Sequence, residues 1–251
     1  MNEFLTRLRG TDPVLMLAIR SSRTSDVVRV AGATGYHAVM VDLEHSTMPL
    51  DVAASLCATA SDLGLFPFVR IPEREYGVIG RLLDGGARGI IAPRVETAAQ
   101  AQAIARACRF APRGQRSQVT TVPAPGLRPP LNQEHDDATI VAMLIETPAG
   151  VASAAEIAAV DGVDMLVFGA NDFTAEIGAP GQYADARVTE AIAALGAACA
   201  PYGKPLMAGG IPDPALLGRL APLGVCPLRL TGTDTDMLYA GAAARAERFR
   251  T

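Results

Sequence analysis

The sequence predicts a single (β/α)8 barrel, and three observations support that prediction. The chain has 251 residues, which is a usual length for one such barrel. Short apolar runs alternate with Ala- and Leu-rich segments of helical character along the whole chain. No linker or low-complexity tract interrupts the alternation. Eight strand–helix pairs in succession favour one closed barrel over residues 1–251 rather than an open sheet or two domains.

The elements follow from the positions of the apolar runs and the helical segments. Strands are predicted at Val14–Ile19, Ala38–Asp42, Phe66–Arg70, Gly89–Ala92, Val141–Ile145, Met165–Phe168, Pro205–Ala208 and Pro227–Leu230. Helices are predicted at Asp26–Ala33, Leu50–Leu63, Gly77–Leu83, Ala98–Cys108, Val151–Ala158, Arg187–Cys199, Pro214–Leu220 and Asp236–Phe249. The turn after the first strand carries no GxGxxG motif, which argues against a doubly wound dinucleotide-binding sheet.

Composition and charge exclude several classes of protein. Apolar residues make up 49% of the chain and charged residues 19%, so a large core is expected. A net charge of −4 argues against a nucleic-acid partner. No apolar run reaches the roughly 20 residues of a membrane span, and the N-terminal segment resembles no signal peptide. The four cysteines form no CxxC pair. We therefore expect a cytoplasmic protein that binds neither nucleic acid nor membrane.

One segment breaks the alternation. Arg109–Thr139 is long, polar and rich in Pro and Gly. Loops of this length in compact domains are usually functional, so we interpret this one as a lid or a subunit contact.

Polar residues follow most of the predicted strands. In a (β/α)8 barrel the C-terminal ends of the strands form the active-site face. The residues that this rule selects are Asp42, Glu44, His45, Arg70, Pro93, Arg94, Glu146, Asn171, Asp172, Gly209, Gly210, Thr231, Gly232 and Asp234.

Glu146 and Asp172 each end an apolar run, on successive predicted strands. Two carboxylates at one sheet edge form half of a site for a hard cation. The alternative is that both are helix N-caps or solvated loop acids. Because no Cys or second His lies near them, Mg²⁺ or Mn²⁺ is favoured over Zn²⁺.

The neighbouring polar residues have more than one interpretation. Arg70 either pairs with acids inside the barrel or, as we favour, binds a substrate carboxylate or oxyanion. His45 is either structural or a general base. Asn171 is either a tight-turn residue or part of a helix start whose backbone N–H groups hold an anion. Asp84 precedes the fourth strand, where a turn role is favoured unless another subunit receives it.

The sequence also lacks other catalytic groups. Lys204 is the only lysine and precedes a strand, so a Schiff-base mechanism is not expected. Carbonyl chemistry here should use a metal ion instead.

Taken in order, these motifs resemble the HpcH/HpaI family of metal-dependent pyruvate aldolases. The resemblance covers almost the whole chain. The matching segments are Val41–Ser46, Phe68–Arg70, Leu82–Ala87, Arg109–Arg116, Ile145–Thr147, Gly169–Thr174 and Leu230–Asp234.

The resemblance implies a barrel whose oligomers, hexamers or trimers, exchange a C-terminal helix. It implies that Glu146 and Asp172 hold Mg²⁺ or Mn²⁺, or Co²⁺, and that the backbone of Gly169, Ala170, Asn171 and Asp172 holds the pyruvate carboxylate. It further implies that Arg70 stabilises developing negative charge. His45 would act as the base, with Asp84 raising its basicity. We suggest that this Asp84 belongs to a neighbouring subunit.

The implied reaction cleaves 4-hydroxy-2-oxo acids to pyruvate and an aldehyde, or forms them. Two alternatives are a citramalyl- or malyl-CoA lyase of the same superfamily and a catalytically silent barrel subunit. Leu144, Asn171 and Ser117 depart from common family residues. These departures predict a different acceptor aldehyde, or a larger or more apolar one.

Overall fold

The computed structural model describes residues 3–73, 75–118 and 132–250. Eight parallel strands form one sheet in the order β7-β6-β5-β4-β3-β2-β1-β8. The strands are β1 (Val14–Ile19), β2 (Ala38–Asp42), β3 (Phe66–Arg70), β4 (Gly89–Ala92), β5 (Ile140–Ile145), β6 (Met165–Gly169), β7 (Leu206–Gly209) and β8 (Leu228–Thr233).

The sheet curves until its two ends nearly meet. The first strand pairs with both β2 and β8. Where the two ends of the sheet approach each other, Leu206 of β7 forms a parallel bridge with Val225, which lies just before β8. The carbonyl oxygen of Leu206 also accepts a hydrogen bond from the amide of Cys226 at 2.7 Å. The predicted fold class, a (β/α)8 barrel, is therefore confirmed.

Helices connect the strands around the outside. Those found in the described part of the chain are α1 (Glu3–Arg7), α2 (Asp26–Ala33), α3 (Leu50–Asp62), α4 (Ile79–Asp84), α5 (Ala98–Cys108), α6 (Asn132–Ala138), α7 (Pro148–Ala152), α8 (Ala154–Ala159), α9 (Ala170–Glu176), α10 (Ala186–Cys199), α11 (Pro214–Leu220) and α12 (Asp234–Arg248).

Several predicted boundaries need correction. The helix predicted at Val151–Ala158 is two short helices, α7 and α8. The first of these, α7, begins before the predicted residue Val151. The side chain of Thr147 caps it by accepting from the amide of Gly150, and Pro148 occupies its first turn. The last strand extends beyond Leu230 to Thr233. Its polar end keeps pairing with β1 across a register shift, which apolar patterning does not reveal.

Alternate strand residues fill the barrel interior, as the two-residue period of a strand requires. Phe66 and Phe68 lie in this interior cluster. Gly89 faces Phe68, and a side chain at that position would overlap its ring. Phe4 of α1 stacks on Phe66 with ring centroids 4.4 Å apart. The N-terminal helix therefore closes the end of the barrel at which the strands begin.

The residues that face outward form a second cluster between the sheet and the helices. The four cysteines are buried and free. Among the described residues, no helix combines the length and the apolar character needed to cross a bilayer.

The predicted loop at 109–139 is only partly described. Residues 132–138 form α6, and residues 119–131 of the predicted lid or subunit contact lie outside the described residues. Arg109 anchors the described part, because its guanidinium donates to the carbonyl oxygen of Asp136 at 2.7 Å and to Asp164 at 2.6 Å. These bonds hold the segment near the N-terminal ends of β5 and β6.

Candidate active site

Three charged residues lie at the C-terminal ends of their strands. Asp42, Arg70 and Glu146 are 0%, 8% and 3% exposed. Each lies two residues beyond an apolar residue of the barrel interior, namely Met40, Phe68 and Leu144. Because strand residues two apart face the same side, the pattern that fills the core also directs these three charges inward.

Asp42 is a buried anion that holds two guanidinium groups. It accepts from Arg70 through Nε at 2.9 Å and through Nη2 at 2.6 Å. Its Oδ2 also accepts from Nε of Arg20 at 2.6 Å. Burial alone raises the pKa of Asp42, but the hydrogen bonds and charges of Arg70 and then Arg20 hold that pKa at about 2. Asp42 is therefore ionised at neutral pH.

From the sequence, Asp42 lies at the barrel mouth, but its role is not evident. The structure aligns it with Arg70 in the ladder between β2 and β3. An acid and an arginine at the ends of successive predicted strands are the signal that identifies this pair. The structure therefore gives Arg70 the internal partner that the sequence left as its alternative role.

Glu44 and His45 lie on a turn that Asp42 holds in place. The backbone amides of both donate to Oδ1 of Asp42, at 3.2 and 3.3 Å. Oε2 of Glu44 forms an ion pair with Nη1 of Arg70 at 2.9 Å, and burial raises the pKa of Glu44. Nε2 of His45 lies 3.8 Å from the same Glu44 oxygen. The side chain of His45 is about half exposed, so it stands at the rim of the mouth.

Glu146 is buried with one hydrogen bond among the described residues. Its Oε1 accepts from the backbone amide of Arg94 at 2.9 Å. Arg94 has a φ of 50°, a left-handed conformation that costs a non-glycine residue about 1 kcal/mol or more. Burial first, and then the charges of Asp172 and Glu44, raise the pKa of Glu146 to about 7.

Gly169 lies against Glu146, and its lack of a side chain leaves room for the Glu146 carboxylate. A Cβ atom at position 169 would lie 2.6 Å from Oε2 of Glu146 and 2.8 Å from its Cβ. Real Cβ atoms do not approach so closely, so the position requires glycine. The end of β6 is thereby shaped around the carboxylate at the end of β5.

Asp172 lies in the first turn of α9, directly after β6. With Arg70, Glu146 and Gly169 it lines a cavity of about 80 Å³ at the mouth of the barrel. The charge of Asp172 raises the pKa of Glu146. The structure thus brings the two predicted metal ligands to one cavity.

A divalent cation fits this pair of side chains. Both are oxygen donors of like charge, and Glu146 is poorly solvated. Within the described ranges, no three His, Cys, Asp or Glu side chains form a fuller ligand set. Mg²⁺ commonly binds through one or two carboxylates and completes its octahedron with water and substrate. Glu146 and Asp172 match that mode, so the donor set suits Mg²⁺ or Mn²⁺.

The neighbouring predicted residues are placed as follows. Ala170 and Asn171 line the same cavity. The side-chain oxygen of Asn171 accepts from the hydroxyl of Tyr183 at 2.6 Å, which ties α9 to the segment that follows it.

Asp84 lies apart from His45 within one chain. It ends α4, which leads into the start of β4, whereas His45 follows the opposite end of β2. Its carboxylate accepts from Nη2 of Arg116 at 2.6 Å. The contact between Asp84 and His45 of a neighbouring subunit remains a prediction.

The fold and the site together define a class of protein. A (β/α)8 barrel with a carboxylate pair and a fixed guanidinium at its C-terminal mouth has the architecture of an enzyme, and these groups suit an anionic substrate and a divalent cation.

Comparisons with known proteins narrow that class. The model of the HpcH/HpaI aldolase/citrate lyase family matches residues 16–208. The chain is 39% identical to a 4-hydroxy-4-methyl-2-oxoglutarate aldolase of Hapsidospora irregularis, over 90% of this chain and 86% of that one. It is 31% identical to a hydroxypyruvate/pyruvate aldolase of Delftia acidovorans, over 99% of this chain and 93% of that one.

A solved structure shares the architecture. The HpcH/HpaI aldolase from Desulfitobacterium hafniense superposes with a TM-score of 0.87 at 26% identity, covering 98% of this chain and 95% of that one. The chain belongs to the HpcH/HpaI aldolase/citrate lyase family. It is accordingly a carbon–carbon lyase.

Replacing Gly169 with alanine tests the geometry around Glu146. The added methyl group displaces the carboxylate, so we expect Gly169→Ala to weaken Mn²⁺ binding roughly 10- to 100-fold. We also expect a loss of about 1–3 kcal/mol in the free energy of unfolding. Isothermal titration with Mn²⁺ and chemical denaturation measure the two effects.

Gly218→Ala is the matched control, because an added Cβ at that position in α11 has no atom within 4 Å. It should bind Mn²⁺ as the wild type does. Unchanged Mn²⁺ affinity in Gly169→Ala would contradict the placement of the cation at Glu146.

Proposed function

We propose that this lyase is a divalent-cation-dependent aldolase that cleaves 4-hydroxy-2-oxo acids to pyruvate and an aldehyde or related carbonyl compound, or forms them. The observation that carries the proposal is the buried Glu146 beside Asp172, in a cavity that Arg70 also lines. The names of the relatives agree with this reaction class.

In this proposal Glu146 and Asp172 hold Mg²⁺ or Mn²⁺, with Co²⁺ as a further candidate. When bound, such an ion supplies Lewis-acid polarisation of the substrate oxo group. The backbone of Gly169, Ala170, Asn171 and Asp172 holds the substrate carboxylate. Arg70 is fixed by Asp42 and Glu44, and it stabilises the negative charge that develops on the oxo oxygen.

His45 acts as the general base in the cleavage direction. Its imidazole takes the proton of the 4-hydroxyl group as the C3–C4 bond breaks. The electron pair of that bond remains with the three-carbon fragment, which then takes a proton at C3 to become pyruvate. The exposed position of His45 at the rim suits proton exchange with solvent.

Removing the cation or its ligands should abolish the reaction. We expect chelation by EDTA to remove pyruvate release from a panel of 4-hydroxy-2-oxo acids, and Mg²⁺ or Mn²⁺ to restore it. Glu146→Gln and Asp172→Asn should each lower kcat/KM at least about 100-fold. His45→Ala should lower kcat about 100-fold while Mn²⁺ binding is unchanged. A coupled lactate dehydrogenase assay measures pyruvate.

Glu190→Gln serves as the control, because it removes one negative charge, as Glu146→Gln does, at an exposed position on α10. This variant should keep the wild-type activity. Full activity in EDTA would reject the cation. Turnover of malyl- or citramalyl-CoA in place of the free acids would favour the alternative lyase.

We also propose that α12 is exchanged between subunits of a trimer or hexamer in the cytoplasm. Leu238, Tyr239 and Phe249, in and just after this helix, are 74%, 76% and 81% exposed, which is a large apolar area for a free surface. Subunit packing would also allow Asp84 of one chain to approach His45 of another.

Charged substitutions on this helix should break the assembly. We expect the wild type to elute as a trimer or hexamer in size-exclusion chromatography with light scattering. Leu238→Glu combined with Tyr239→Glu should shift it to monomers, because burying two carboxylates is unfavourable. The control Val30→Glu, at an apolar residue of α2 that is 60% exposed, should leave the mass unchanged. A monomeric wild type would reject the exchange.

A further inference from the structure

A second cavity adjoins the one that holds the carboxylate pair. It has a volume of about 470 Å³ and opens beside β1, β2 and the start of α12. The loop after β1 contributes Arg20, Ser21 and Arg23, and the turn after β2 contributes His45 and Thr47. Because His45 is the proposed base, this outer cavity lies where the carbonyl product of the cleavage forms.

Arg20 lines both the inner and the outer cavity. Its Nε is bound to Asp42 at 2.6 Å, and its side chain is 37% exposed. Its terminal nitrogens, Nη1 and Nη2, have no hydrogen-bond partner in the described part of the chain. Asp42 therefore fixes the guanidinium on one edge and leaves the remaining donors available to a ligand.

The charges around the outer cavity favour an anion. Arg23 adds a second positive charge, and it is held by the carbonyl oxygens of Arg20 and Ser21 at 3.0 and 2.9 Å. Asp234 accepts from the backbone amides of the loop after β1, the shortest bond being 2.7 Å to Ser22. Asp236, which lines the cavity, accepts from the amide of Thr233 at 3.1 Å. Among the residues that line the outer cavity, the two arginines face one carboxylate, that of Asp236.

We propose that Arg20 binds a second carboxylate, carried by the carbonyl-product half of the substrate, and so selects dicarboxylic 4-hydroxy-2-oxo acids. A planar guanidinium with free N–H donors is the group best suited to a carboxylate. This inference rests on the proposed function and adds a specificity-determining residue to it. The product released beside pyruvate is then itself an oxo acid or an aldehyde acid.

The reaction remains balanced with this substrate. The C3–C4 bond breaks, and its electron pair stays on C3. The 4-hydroxyl proton passes to His45, and the C4 oxygen becomes the carbonyl oxygen of the second acid. The carboxylate on that fragment takes no part in the bond changes. Its contact with Arg20 only positions C4 over the inner cavity.

Paired substrates that differ by one carboxylate test the proposal. We compare kcat/KM for 4-hydroxy-4-methyl-2-oxoglutarate and 4-hydroxy-2-oxopentanoate in the wild type, Arg20→Gln and Arg20→Lys, each in the full-length protein with Mn²⁺. The wild type should favour the dicarboxylate roughly 10- to 100-fold, as expected for a charge-assisted pair. Arg20→Gln should abolish that preference mainly through the dicarboxylate, and Arg20→Lys should retain part of it.

Arg29→Gln, an exposed arginine on α2 with the same change in charge, should keep the wild-type preference. An equal loss on both substrates in Arg20→Gln would overturn the proposal, because it would mean that Arg20 acts only by positioning Asp42 and Arg70. A wild type without preference for the dicarboxylate would overturn it as well.

Binding separates this proposal from the proposed function. If the wild type cleaves neither acid, the aldolase reaction is rejected, and calorimetric titration with 2-oxoglutarate and 2-oxopentanoate decides the subsite. These ligands have equal chain length and differ in the terminal carboxylate. Tighter binding of 2-oxoglutarate that disappears in Arg20→Gln supports the subsite, and equal binding of both ligands by the wild type rejects it.

Discussion

The site depends on a buried carboxylate, Glu146, that the barrel holds in the same cavity as a second one, Asp172. Glu146 is 3% exposed and receives a single backbone hydrogen bond in the described structure. Burial and the charge of Asp172 raise its pKa to about 7. The surrounding backbone enforces this arrangement at some cost, through the left-handed conformation of Arg94 and the glycine at position 169. Such a pair becomes favourable when a divalent cation is bound.

A second constraint directs the side-chain hydrogen bonds of Arg70 to Asp42. Its Nε and Nη2 are bound to Asp42, and its Nη1 is bound to Glu44. Two hydrogen bonds and one ion pair thus hold the guanidinium in the cavity that Glu146 and Asp172 line, where it can meet a substrate oxygen. Asp42 therefore acts as a structural anion, and its depressed pKa reflects two arginines rather than exposure to solvent. The same residue fixes Arg20, so one buried carboxylate organises both cavities.

The fold follows closely from the sequence because each strand is a short apolar run with clear ends. The first four predicted strands coincide with β1 to β4. Strand order also indicates which residues share the mouth, and Glu146, Asp172 and Arg70 line one cavity there. Their roles remain predictions, since position does not establish chemistry.

Other features depend on how distant segments of the chain are paired, and local sequence patterns therefore do not predict them. The bond between Arg20 and Asp42 joins residues 22 positions apart, and no motif in the intervening chain signals it. The bond between Arg116 and Asp84 likewise joins a residue that precedes β4 in the chain to one that follows it. The polar end of β8 pairs with β1 although its sequence lacks a strand pattern. Each needs the three-dimensional pairing before it can be recognised.

The most direct test of the carboxylate pair is anomalous diffraction from crystals grown with Mn²⁺. We expect one strong anomalous peak at the barrel mouth, about 2.1 Å from an oxygen of Glu146 and from an oxygen of Asp172. A structure at saturating Mn²⁺ that shows no peak between these two side chains, or shows the ion bound elsewhere in the barrel, would contradict it.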